Sequence, residues 1–133
     1  SLSEMACVQL QELPTSVLVL KPFGQFFIQC PSTAVIVSVN GTVMKNGRFR
    51  AQPLRLFSTA DFEDFSYLGY QDSKGRVFVF DAFQFDSNHD QIYSDSERML
   101  VYLEYNRKIR AFLLVFDDSS AVSVPFKFAW EED

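Results

Sequence analysis

The one stretch with the spacing of a metal site runs from Asp86 through Asn88 and Asp90 to Glu97. Counted from Asp86, oxygen ligands fall at positions one, three and five and a glutamate at twelve, the pattern of a calcium-binding loop. Position six is Gln91, where that loop turns sharply on glycine, and the flanks read as strands where it needs helices. Asp, Asn and Ser also make ordinary polar loops. Asp86, Asn88, Asp90 and Glu97 therefore stand only as a weak metal alternative, and neither metal nor cofactor is expected.

Covalent and acid-base chemistry finds little material. His89 is the single histidine, there is no Gly-x-Ser-x-Gly elbow, and neither Cys7 nor Cys30 carries a nucleophile signature. One histidine cannot make a two-histidine metal cage. Asp81 and Glu104 are the best pair of carboxylates for glycoside chemistry, if both point into one concavity. The simpler expectation for Asp81 is a solvent-facing position or a pairing with Arg110 or Arg76. The five glycines, at 24, 41, 47, 69 and 75, are scattered and each suits a turn, so no phosphate-cradling loop is present. A non-enzyme is expected.

Net charge is -5, which argues against a dominant phosphate-binding face. The cations nevertheless cluster near expected turns: Lys45, Arg48, Arg50 and Arg55, then Lys74 and Arg76, then Arg107, Lys108 and Arg110. Should the first and third groups converge beside Phe49, Phe57 or Tyr70, a single-stranded nucleic acid could be held by charge and stacking. The surplus that asks more strongly for an explanation is aromatic: 15 Phe, 5 Tyr and 1 Trp. Rings with polar handles suit interfaces as well as cores, and Tyr70, Tyr102, Tyr105, Phe128 and Trp130 are the candidate partner-contacting set.

These residues must be positioned by short extended elements. Val77 to Phe85 offers bulky groups to both faces at once, with Phe78 and Phe80 on one and Val77, Val79, Phe83 and Phe85 on the other. Such a strand must be covered above and below. Prolines 14, 22 and 31 cut the start into pieces at 6–13, 17–20 and 23–30. Thr33 to Val39 is a β-branched strand that turns at Asn40-Gly41 into 42–45, and a second Asn-Gly at 46 and 47 predicts another turn before 48–57. Asn40-Gly41-Thr42 is also a formal glycosylation acceptor, although the turn accounts for the same residues.

From Ser58 to Gly69 the spacing of Phe62, Phe65 and Leu68 behind Ser58 or Thr59 predicts a short helix, near 59–68. Strands follow at 99–105, 109–117 and 122–130, with a capping-box helix over 98–105 as the alternative for the first. The expected architecture is a single all-β domain spanning 1–133, excised from a longer chain. It is an antiparallel two-sheet sandwich or jelly-roll-like barrel with one short helix, or next an OB-like barrel. No run approaches the ~18 apolar residues of a membrane-spanning helix. Two cysteines without a framework point to an intracellular, reduced protein rather than a secreted one. The expected role is protein association, with self-pairing into a homodimer included. Single-stranded nucleic-acid binding is the alternative, and small-ligand or carbohydrate binding in a jelly roll comes third.

Overall fold

Each strand stops where the chain supplies a residue that cannot continue the ladder or a turn that reverses it. The computed structural model describes residues 7–49 and 51–131, which form eleven strands in three antiparallel sheets and no α-helix. Sheet A contains β1 (Ser16–Leu20), β2 (Gln25–Gln29), β3 (Thr33–Ser38) and β4 (Val43–Arg48). Sheet B contains β5 (Arg55–Asp61), β6 (Ser66–Gln71), β7 (Arg76–Asp81) and β8 (Asp90–Ser94). Sheet C contains β9 (Leu100–Asn106), β10 (Ala111–Phe116) and β11 (Ala121–Pro125). Within every sheet the spatial order is the chain order, so each is a meander of hairpins.

Sheet B is the middle layer. Leu68 and Phe80 pair across β6 and β7 and pack with Leu20, Phe27, Ile36 and Phe85 against sheet A. Val77 and Val79, on the other face of β7, pack with Leu103, Phe112 and Leu114 of sheet C. The two-faced strand expected from its sequence thus lies between two separate apolar layers. Gly69 is required by the packing of sheet C onto sheet B: a Cβ there would lie 2.5 Å from Leu103 Cδ2, and 3.1 Å from the Phe78 carbonyl oxygen of the neighbouring strand.

The sheets draw together along their first strands. Cα atoms of β1 and β5, and of β5 and β9, approach within 8 Å, closer than the ~10 Å between sheets stacked face to face. A cleft of about 480 Å³ is bounded by residues of all three first strands and their ends, with Lys21 just after β1, Asp61 at the end of β5, Glu104 on β9 and Arg107 just after it. Consecutive meanders that meet along their first strands have the arrangement of neighbouring blades in a β-propeller, where four-stranded sheets repeat around an axis.

Several expectations need correction. The all-β, antiparallel sandwich-like architecture is as expected, but it is built from three sheets where two were expected. The helix near 59–68 does not form: β5 continues to Asp61, Phe62 N–H donates to the Phe65 carbonyl (2.8 Å) to close a tight turn, and β6 follows. Pairing of β6 with both neighbours overrides the helical spacing of Phe62 and Phe65. The second Asn-Gly is no turn, because Asn46 and Gly47 lie inside β4 opposite Val35 and Ala34. The central strand ends at Asp81, whose carboxylate accepts from Phe83 N–H (3.1 Å) and starts a 3-10 turn over Ala82–Gln84. Phe83 and Phe85 consequently leave the face assigned to them and pack toward sheet A. Residues 7–13 form no strand and 126–130 leave the ladder, whereas 100–106 is strand rather than capped helix.

Candidate interaction surface

Register places an unusual set of side chains on the side of sheet A that faces away from sheet B. Alternation sends Leu18, Leu20, Phe27, Ala34 and Ile36 inward. The opposite face then carries two cross-strand rows, Val17–Ile28–Val35–Asn46 and Val19–Phe26–Val37–Val43. Seven of these eight residues are apolar and none is charged. Val17 is 54% exposed, Val19 49% and Val43 44%. Strands β1 to β3 are thus apolar on both faces, like β7, yet among the described residues only one of their faces is covered by another sheet; on the other, Val37 is buried while Phe26, Ile28 and Val35 are half-buried.

A short extended segment borders the β3–β4 side of this face. Val8 to Gln11 line a cavity of about 300 Å³ together with Thr33, Val35, Val43 and Arg48. The segment is tied down by Glu12, whose carboxylate accepts from Thr33 Oγ1 (2.7 Å), Ser32 Oγ (2.9 Å) and Ser32 N–H (3.2 Å). The hydroxyl bonds from Thr33 and Ser32 hold its pKa below the usual glutamate value. Among the described residues the β1–β2 side, with Val17 and Val19, stays open.

The outer face of sheet C is mixed. Its rows are Tyr102–Val115–Ala121 and Glu104–Leu113–Ser123, with Tyr102 44% and Leu113 42% exposed. The Tyr102 hydroxyl donates to the Glu104 carboxylate. Glu104 therefore lies on the side of sheet C turned away from sheet B. Asp81 sits on β7 of sheet B, where burial raises its pKa. The two carboxylates share no concavity, and the glycoside arrangement is not built.

His89 is half-buried and lines a cleft of about 450 Å³ together with Asp72, Arg76, Asp86 and Asn88. Nε2 lies 2.9 Å from the Phe85 carbonyl, which can only accept, so Nε2 carries the proton. Nδ1 is then the acceptor for the Tyr70 hydroxyl at 2.6 Å. The ring also stacks on Phe80, with centroids 4.3 Å apart and planes 13° apart. Burial lowers the His89 pKa and raises that of Tyr70. With both ring nitrogens engaged and neither pointing at a nucleophile, His89 acts as a structural plug between β6 and the loop before β8.

The metal-like loop is not a loop throughout. Asp90 begins β8 and pairs with Val79, so the chain is extended where a calcium loop must curl. Asp86 is bound to Lys45 Nζ at 2.8 Å, and that bond lowers its pKa. Glu97 lies beyond β8 with its N–H donated to Asp95 (2.9 Å). Among the described residues no three His, Cys, Asp or Glu side chains gather as metal ligands.

Of the expected partner-contacting rings, Tyr70, Tyr105 and Phe128 are core residues, each under a tenth exposed. Tyr102 is exposed on sheet C, and Trp130 is half-exposed, stacked on Phe65 with its Nε1–H directed at the Tyr67 hydroxyl (3.4 Å). The basic residues are distributed over three sheets. Lys45 and Arg48 lie on β4, Arg55 opens β5 with its guanidinium 4.8 Å from the Phe57 ring, and Arg107 lies 4.7 Å from the Phe62 ring. Lys108 sits in the β9–β10 turn and Arg110 approaches Glu131 at 4.0 Å. Arg50 lies outside the described residues. Cys7 and Cys30 are both free thiols.

The signal for the surface that sequence reading missed was available. Val17–Leu20, Phe26–Ile28 and Ala34–Val37 offer apolar groups to both faces, the same property that identified Val77–Phe80 as central. No protein-family model matches the chain, and no curated protein matches it.

Proposed function

We propose that this chain is a non-catalytic protein-association module that works through the outer face of sheet A. The observation that carries the reading is the uncharged double row from Val17 to Val43, a sheet face of core composition with no second sheet over it among the described residues. Contiguous apolar surface of this kind marks interaction sites in soluble proteins. The state of the cations supports the same reading over nucleic-acid binding. Among the described residues Lys45 is paired with Asp86, while Arg55 and Arg107 lie on their own domain's rings, which leaves fewer of the candidate cations directed at a nucleic-acid strand.

A photo-crosslinking residue placed at Val19, in the full-length protein in its native cells, should give discrete protein adducts. The same residue at Ser87, in an exposed polar turn, should give none. An absence of adducts at Val19, or equal yield at both positions, overturns the reading.

A further inference from the structure

We infer that the partner of sheet A's outer face is sheet C of a second copy of this chain, with two copies closing into one ring of six sheets. This rests on the association reading above and adds the identity and geometry of the occupant. Two interfaces within the chain, A on B and B on C, already join sheets with their first strands adjacent. Repeating that contact from sheet C of one copy to sheet A of the next leaves no apolar sheet face bare. Because each copy supplies one A face and one C face, a two-fold axis makes the contact twice and stops the assembly at two. Six sheets fall within the four to eight that close such radial arrays.

Shape and area favour this pairing over the alternative of two A faces stacked on each other. Sheet C has three strands against the four of sheet A, and segment 8–11 borders the β3–β4 side of the A face. The narrower sheet therefore meets the open β1–β2 side, where Val17 and Val19 stand exposed. A face of four strands and five residues covers about 300 Å². One A-on-A contact then buries about 600 Å², well under the ~1,000 Å² of a specific interface, whereas the three-stranded face of sheet C covers about 240 Å² and two A-on-C contacts bury about 950 Å², close to that threshold. Sheet C contributes Tyr102, Leu113 and Val115 to that contact, with Glu104 placed beside the first-strand cleft that also holds Lys21.

Sedimentation analysis from low micromolar to roughly millimolar concentration tests the inference, with a dissociation constant on the order of micromolar expected for this area. The mass should rise from 15.3 kDa to twice that value. Val19→Asp on sheet A and Leu113→Asp on sheet C should each weaken dimerisation at least tenfold, while Ser87→Asp leaves it unchanged. Both target side chains are near half exposed, so the variants should keep the wild-type circular dichroism, and Val17→Lys and Val115→Lys provide a second pair. A dimer sensitive to Val19→Asp and not to Leu113→Asp means A-on-A pairing and overturns the ring, while leaving the association reading intact. Assemblies that grow without limit mean open stacking and overturn it as well. A wild-type monomer at millimolar concentration overturns the second copy as occupant, and the crosslinking experiment then decides the association reading by itself.

Discussion

His89 shows how a residue that suggests chemistry by its type is turned to structure by its neighbours. Its neutral form is required on both sides, since Nδ1 must accept from Tyr70 while Nε2 donates to Phe85. Burial depresses its folded-state pKa below the ~6.5 of an exposed imidazole. The stabilisation is therefore complete above pH ~6.5 and is lost as pH falls from there through the folded pKa, because the unfolded chain takes up the proton first. Urea unfolding between pH 7 and pH 5 should show a decline that His89→Phe removes, with a difference in slope of up to ~1.4 kcal/mol per pH unit. Equal slopes in wild type and variant would refute the linkage.

At the level of elements, one buried amide supplements the apolar layer that joins sheets B and C. Gln71, at the end of β6, accepts from Leu100 N–H (2.8 Å) and donates through Nε2 to the Arg98 carbonyl (2.9 Å), which sets where β9 begins. Gln71→Leu would strand both backbone groups in an apolar setting, a loss of about 2–4 kcal/mol in the unfolding free energy. Leu100 should then exchange its amide hydrogen faster than its neighbours in β10, which hydrogen-exchange mass spectrometry or NMR can follow. The sequence was a good guide where local chemistry decides, as in the Asn40-Gly41 turn and the two-faced apolar run at Val77–Phe80. It misled where pairing decides: Phe62 and Phe65 keep helical spacing but flank a turn, and Asn46-Gly47 has turn chemistry but is held flat between β3 and the Phe85 ring. The candidate surface was harder to see, because whether an apolar face is covered depends on which sheet lies beside it and not on the strand itself.

For the molecule as a whole, the association proposed above would be driven by apolar surface. Raising salt from ~0.1 M to ~0.5 M, which shortens the screening length to a few ångströms, should leave the dimer constant within about threefold. Nucleic-acid binding through the cations would weaken by orders of magnitude over the same range. Fluorescence polarisation with a labelled oligonucleotide, run beside the sedimentation series, separates the two behaviours. Tight binding that collapses with salt would move the functional reading to the basic residues. No helix among the described residues is long and apolar enough to cross a membrane.

The meander order of the sheets also governs how the chain reaches this state. Every strand bonds only to its predecessor and successor in the chain, so ladder formation closes short loops and carries a small entropic penalty per step. During synthesis the ribbon from Ser16 to Arg48 can assemble before Arg55 has emerged, and each later ribbon finds the previous one waiting as a template. Meander order thus leaves open to the chain a route from the amino end to the carboxyl end, in which sheet B covers one side of sheet A as soon as it forms.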